Sequence, residues 1–199
     1  MSYAPGPFFP DAPLTLRDGR TATVRPIQTS DAPFLRALTR AVVQAGDGVV
    51  MGASDLPADD DSVAERIRER TSGEATNRLT LTAWLDEHMV AEASVHRLNL
   101  SLIRHTALLD IQVHPDVQEL GLGRALMQRL IDWAAHFDDD PVLRLELYVR
   151  ADNTRARRLY ESLGFEVEGI RRAFVRLPDG TFVDDIVMGR LLDRGVSDR

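Results

Sequence analysis

The residues best suited to hold a ligand lie in one stretch, Val113-His114-Pro115-Asp116-Val117-Gln118-Glu119-Leu120-Gly121-Leu122-Gly123-Arg124-Ala125-Leu126. An alternating apolar run ends at Val113, a short loop follows, and Gly121 and Gly123 open a segment with helical spacing. Glycine lets backbone approach a ligand closely and adopts dihedrals that other residues avoid. The first N–H groups of a helix have no acceptor within it, and the helix dipole favours negative charge there. Together they form a site for phosphate oxygens, to which Arg124 can add charge. A glycine-rich loop entering an ordinary packing helix has the same signature. The dinucleotide loop G-x-G-x-x-G fits less well. Leu126 stands at its third glycine, and residues 114–120 separate the strand from the glycines.

A second stretch, Asn153-Thr154-Arg155-Ala156-Arg157-Arg158-Leu159-Tyr160-Glu161-Ser162-Leu163-Gly164-Phe165, reads as a helix. Asn153 is its cap, Ala156, Leu159, Tyr160 and Leu163 form its apolar face, and Gly164 ends it. A phenol on that face, seven residues after the Asn, is either a packing residue or a proton donor.

The elements that must position these residues follow from periodicity. Thr21 to Pro26 reads as a strand. Ser30 or Asp31 caps a helix with Phe34, Leu35, Leu38 and Val42 on its apolar face. Gly46 to Asp61 reads as a loop, and Ser62 to Arg70 as a short helix. Alternation at Leu79–Leu85, Ala91–Val95 and Ala107–Val113 predicts three strands in an antiparallel meander. Leu122, Leu126, Leu130, Trp133 and Phe137 predict a helix, which Asp138-Asp139-Asp140-Pro141 breaks. Leu143 to Val149 is a strand after a crossover helix, hence parallel to its predecessor. Two last strands flank the turn Pro178-Asp179-Gly180. The order β-α-α-β-β-β-α-β-α-β-β predicts an α/β (α+β) fold, a mixed central sheet with helices on both faces. Residues 1–14, with Pro5, Pro7, Pro10 and Pro13, read as an irregular lead-in to a single domain over 15–199.

Composition narrows the function. The 199 residues include no cysteine, which removes disulfides, thiolate metal sites and a cysteine nucleophile. A net charge of −7 argues against a nucleic-acid partner. No run of 18 apolar residues and no secretory leader is present, so no membrane partner and a cytoplasmic location are expected. His88, His105, His114 and His136 lack metal-ligand spacing, and no metal is expected.

The two stretches, in this order and separation, resemble the GNAT superfamily of acetyltransferases. Gln118, Gly121 and Gly123 match its motif Q/R-x-x-G-x-G/A, and Asn153, Ala156, Tyr160, Gly164 and Phe165 match N-x-x-A-x-x-x-Y-x-x-x-G-F. The likeness runs from Thr21 to Leu192 and includes the element order. The tail Glu166 to Leu191 resembles bacterial small-molecule and amino-acid acetyltransferases. The resemblance implies acetyl-CoA as acyl donor and a primary amine as acceptor, attacked directly with no acyl-enzyme, in a monomer or homodimer. The N–H groups of Gln118, Glu119, Leu120, Gly121, Leu122, Gly123 and Arg124 are then expected on the pyrophosphate. Ile111, Gln112 and Val113 are expected along the pantetheine arm where two strands part, with the Val113 N–H near the thioester oxygen. Asn153 is expected to hydrogen-bond the arm, and Tyr160 to protonate the departing thiolate.

The general base is open at this point. Ala107 and Leu108 stand where relatives carry carboxylates. Asp110 is the nearest carboxylate on that strand, and Glu92, His96 and Glu146 are other options. Each can equally be a structural polar group, and a water chain can serve instead. Arg155, Arg157 and Arg158 suit either a ribose phosphate or a solvated helix face. The loop from Gly46 to Asp61 lies over the acceptor end in this topology. With Asp47, Asp55, Asp59, Asp60 and Asp61 and no Lys or Arg, it is expected to be an acidic lid for an ammonium group or a solvated loop. Two further functions stay open: transfer to a protein N-terminus or lysine, and a non-catalytic acyl-CoA sensor.

Overall fold

The computed structural model describes residues 12–46, 48–72, 77–136 and 140–192. Among them an eight-stranded sheet runs through the molecule in the order β1-β2-β3-β4-β5-β6-β8-β7. Its strands are β1 (Ala12–Thr15), β2 (Thr21–Pro26), β3 (Arg78–Leu85), β4 (His88–Arg97), β5 (Thr106–Val113), β6 (Arg144–Arg150), β7 (Glu166–Arg176) and β8 (Phe182–Leu191). The helices are α1 (Ala32–Ala45), α2 (Asp60–Thr71), α3 (Leu122–Ala135) and α4 (Thr154–Glu161). Every neighbouring pair is antiparallel except β5 and β6, which α3 joins as a parallel crossover. The expected order is present with β1 added at the edge: Ala12, Pro13 and Leu14, expected in the irregular lead-in, belong to a strand in which Ala12 to Thr15 pair with Val24 to Thr21, and the rest of that lead-in, residues 1–11, lies outside the described residues. Phe137, Asp138 and Asp139, expected at the end of α3, lie outside the described residues.

Strand alternation splits the core into two layers. Leu81, Ala83, Ala91, Ala93, Val95, Ala107 and Leu109 share one face with Leu122, Leu126, Met127 and Leu130 of α3. Tyr160, Leu163 and Phe165 join that layer from α4 and its end. The other face carries Leu35, Leu38 and Val42 of α1, with Val63 and Ile67 of α2. Phe34, expected on the buried face of α1, lies at its margin, 41% exposed, edge-on to Trp84 with ring centroids 5.0 Å apart. A 3.6-residue period admits it to the apolar stripe, but the bulge at Ala83/Trp84 sets Trp84 beside it instead of burying it.

Candidate active site

The sheet opens in its middle. β5 and β6 pair only at Thr106↔Arg144, Ala107↔Leu145 and Leu108↔Glu146. Beyond that point β5 stays paired to β4 as far as Ala91↔Val113, and β6 stays paired to β8 as far as Arg150↔Asp185. A wedge therefore forms between Leu109–Val113 and Leu147–Arg150.

Register decides which backbone groups face it. The His114 N–H donates to the Val90 carbonyl at 2.8 Å, so the even residues Leu108, Asp110 and Gln112 exchange hydrogen bonds with β4. The odd residues Ile111 and Val113 turn their N–H and C=O groups the other way, into the wedge. The Val113 carbonyl there accepts from Gln118 Nε2 at 3.1 Å, which ties the strand end to the loop and leaves the Val113 N–H for a ligand. Gln112 differs from expectation: its backbone belongs to β4, and its side chain donates to Glu92.

The loop after β5 bends back on itself. Glu119 (φ 64) and Gly121 (φ 90) both adopt the left-handed conformation, a costly one for a glutamate. Successive turns of this kind gather N–H groups into a concave anion cradle. The first helical bond of α3 runs from Ala125 N–H to Gly121 C=O, so Leu122, Gly123 and Arg124 have N–H groups without helical acceptors. Leu122 offers only its backbone, because its side chain is in the core. A Cβ at Gly123 would stand 3.5 Å from Leu159, 3.7 Å from Ile111 and 3.9 Å from Val113, so that side of α3 borders the wedge closely. Arg17, absent from the expected set, fastens the loop: its N–H donates to Leu120 C=O at 3.1 Å and its Nη1 to Glu119 C=O at 3.2 Å.

These parts line one cavity of about 790 Å³. Asp110, Ile111, Gln112, Val113, Gln118, Glu119, Gly121, Gly123, Arg124, Asn153 and Tyr160 all border it, while the side chains of Leu120 and Leu122 do not. Arg155 and Arg158 also border it; Arg157 instead pairs with Glu161 at 2.8 Å. Asn153 Oδ1 accepts from Ala156 N–H at 3.1 Å and so caps α4. Its Nδ2 faces Gly48, where a Cβ would lie 1.9 Å away; no side chain fits at Gly48 (φ 73). The buried Arg150 holds that loop down, donating to Gly46 C=O at 3.2 Å and Val49 C=O at 2.8 Å.

Tyr160 is 8% exposed, packs on Phe165, and makes no hydrogen bond through its hydroxyl among the described residues. Burial, with the nearby Asp110 charge, pushes its phenol up to about 12, so it stays protonated at neutral pH. Asp110 is exposed to the cavity and accepts from Ser94 Oγ at 2.7 Å. Glu92 lies beside it, 3% exposed. Its Oε2 accepts from Gln112 Nε2 at 3.2 Å, while its buried Oε1 has no hydrogen-bond partner and only Arg70 Nη1 at 3.9 Å. Burial pushes the Glu92 carboxyl up to about 7, and the Asp110 charge adds to the rise against Gln112, Arg70 and Arg78. The other base options lie off the cavity. Burial and Arg78 hold His96 below its ordinary value, and Glu146 is taken by Arg144 at 3.0 Å and by the Tyr148 hydroxyl.

None of Asp55, Asp59, Asp60 and Asp61 borders the cavity. Asp59 caps α2 through Ser62 N–H at 2.8 Å, Asp55 accepts from Gly52 N–H at 2.8 Å, and Asp60 pairs with Arg36 at 3.2 Å. Short acidic side chains satisfy backbone donors beside a helix start, and that use prevails here. What this segment turns toward the cavity is Gly48, Val49, Val50, Met51 and Pro57. Asp47 lies outside the described residues.

Comparison with known proteins matches this geometry. The model of the Acetyltransferase (GNAT) family matches residues 52–165. The [ribosomal protein bS18]-alanine N-acetyltransferase of Escherichia coli K12 is 44% identical over 87 residues, 44% of this chain, and the match spans 56% of that relative's length. The protein of the same name from Salmonella typhimurium LT2 is 36% identical over 152 residues, covering 70% of this chain and 93% of the relative. The yncA acetyltransferase structure from Salmonella typhimurium, solved with its cofactor acetyl-CoA, superposes with a TM-score of 0.73 at 22% identity, over 89% of this chain and 98% of that one. With a parted β5–β6 pair, a left-handed cradle at the start of α3 and a family match over more than half its length, the chain belongs to the GNAT acetyltransferase family.

Proposed function

We propose that the chain transfers the acetyl group of acetyl-CoA directly to a primary amine of a small molecule or amino acid. The observation that carries this is the wedge: two unpaired amides on β5, an anion cradle at one end, and a carboxylate and a phenol bordering the same cavity. In this reading the cradle N–H groups from Gln118 to Arg124 take the pyrophosphate, with Arg17 bracing the loop. The Ile111 and Val113 amides pair with the pantetheine arm, and the Val113 N–H donates to the oxyanion that develops as the amine attacks. Asn153 Nδ2 is the remaining donor toward the arm.

Proton traffic follows from the side chains. Asp110, with Glu92 behind it, accepts the proton that the acceptor ammonium must lose before attack. The C–N bond then forms, the C–S bond breaks, and Tyr160 gives its proton to the departing sulfur. Asp110's charge is one of the two causes that raise the Tyr160 phenol. Once Asp110 carries a proton that cause is gone, and the phenol becomes more acidic as the sulfur needs it. No helix among the described residues is long and apolar enough to cross a membrane. We assign the reaction to the cytoplasm, with the protein acting alone or as a homodimer and without nucleic acid.

A second reading is transfer to a protein N-terminus, favoured by the name of the Escherichia coli and Salmonella relatives. The test is thiol release from acetyl-CoA in the presence of amine mixtures, with the acetylated product identified by mass. Acetyl-CoA binding without turnover on any amine would leave an acyl-CoA sensor instead.

A further inference from the structure

We infer that the acceptor is an amine that also carries a carboxylate, a free amino acid with an apolar side chain, and that Arg66 and Arg70 grip that carboxylate. The inference rests on the transfer reading above and names its substrate class. Arg66 and Arg70 stand four residues apart on α2, hence on one face, and both line the cavity. Arg66 makes no hydrogen bond or ion pair among the described residues. Arg70 approaches Glu92 Oε1 only to 3.9 Å, beyond hydrogen-bond length, so its donors remain open to another oxygen.

Several other guanidiniums of the cavity are engaged elsewhere. Arg36 is spent on Asp60, Pro57 C=O and Ala58 C=O. Arg17 and Arg124 belong to the cradle around Gly121 and Gly123. Arg171 pairs with the buried Asp185 and stacks between Tyr148 and Phe174, at 4.3 and 3.8 Å. Arg155 and Arg158 also border the cavity, from α4; what sets Arg66 and Arg70 apart is that they share one face of α2 and that Arg70 stands next to Glu92.

A planar guanidinium fork matches a carboxylate, and such charge-assisted bonds are strong. Glu92, next to Arg70, and Asp110 line the same cavity and suit an ammonium group. Neighbouring cation and anion pairs complement a zwitterion. The remaining wall is apolar, with Val49, Val50 and Met51 from the loop and Leu35, Val63 and Ile67 from α1 and α2. A basic peptide or a polyamine would bring further positive charge to the arginines with nothing to offset it, and like-charge contacts are costly.

The experiment is steady-state thiol release by the full chain with leucine, methionine and phenylalanine, their primary amides, and a short basic peptide that begins with alanine. At least one free amino acid should exceed its amide by about 30-fold or more in kcat/KM, mostly through KM, the scale of a charged pair left unmatched. Arg66→Gln, an exposed change that leaves the core intact, should bring that ratio to within about fivefold of one. An amide or the peptide matching the free acid would overturn the inference while leaving the transfer reading standing. So would an acid-to-amide ratio unchanged in Arg66→Gln. Bound acetyl-CoA with no turnover of any acceptor would overturn both.

Discussion

Replacing Glu92 by Gln separates what this carboxylate does for catalysis from what it does to the fold. Glu92 is buried, with one oxygen lacking a hydrogen-bond partner, and its carboxyl is pushed from 4.5 up to about 7. Between those two values the native protein holds a proton that the unfolded chain has lost. Its contribution to stability is therefore complete below pH 4.5 and is lost as pH rises through about 7. That gap corresponds to about 3 kcal/mol. Gln is the neutral isostere and keeps an oxygen for Gln112 Nε2. Glu92→Gln should match the parent near pH 5 and exceed it near pH 8 by up to about 3 kcal/mol, or about 6–12 °C in Tm for a chain of this size. Activity should move the opposite way. Asp110 meets the acceptor and Glu92 lies behind it, so in the parent kcat/KM should rise with pH through about 7 as Glu92 ionises and can take the proton on from Asp110; in the variant that limb should vanish and the rate should fall by about tenfold or more. Melting curves and pH–rate profiles on the same two proteins decide it. A Tm difference that is the same at pH 5 and pH 8, or a limb that persists in Glu92→Gln, would refute the assignment.

Tyr160→Phe keeps the packing against Phe165 and removes the proton, so kcat should fall by about two to three orders of magnitude with acetyl-CoA affinity and Tm near the parent's; equal turnover would make Tyr160 a packing residue. Gly123→Trp would push into Leu159, Ile111 and Val113, and calorimetry should show acetyl-CoA affinity lost with the fold weakened by about 1–3 kcal/mol; unchanged affinity would empty the wedge of its role. Asp59→Asn should lower Tm slightly through the α2 cap and leave the acceptor KM constant at low salt; a raised KM would revive the acidic lid.

Much of this site was legible from local pattern. Period-two runs and glycine punctuation placed the strands and helices, because each signal acts within a few residues. Gln118, Gly121 and Gly123 declared a cradle for the same reason. What escaped depends on contacts between distant segments. Arg17 meets Glu119 across 102 positions, and Arg150 meets Val49 across 101. Nothing local marks either. Which of Asp110, Glu92, His96 and Glu146 borders the cavity depended on the register: the first two stand beside the parted length of β5, while His96 and Glu146 lie at Leu108, where β5 and β6 are still paired. The parity of β5 also lies beyond periodicity: alternation says which side chains face a layer, but only pairing says which amides face the wedge. The aspartates of residues 55–60 misled for a physical reason. Charge counted along a chain ignores the backbone donors that short acidic side chains satisfy first.

Amide hydrogen exchange with and without acetyl-CoA tests the wedge itself. Ile111 and Val113 N–H groups face it unpaired, while Asp110 and Gln112 are already bonded to β4. Added acetyl-CoA should slow exchange at Ile111, Val113 and residues 121–124, and leave Asp110 and Gln112 nearly as they were. Exchange at Ile111 and Val113 that stays at its free rate with acetyl-CoA bound would mean that the acyl donor does not lie between β5 and β6.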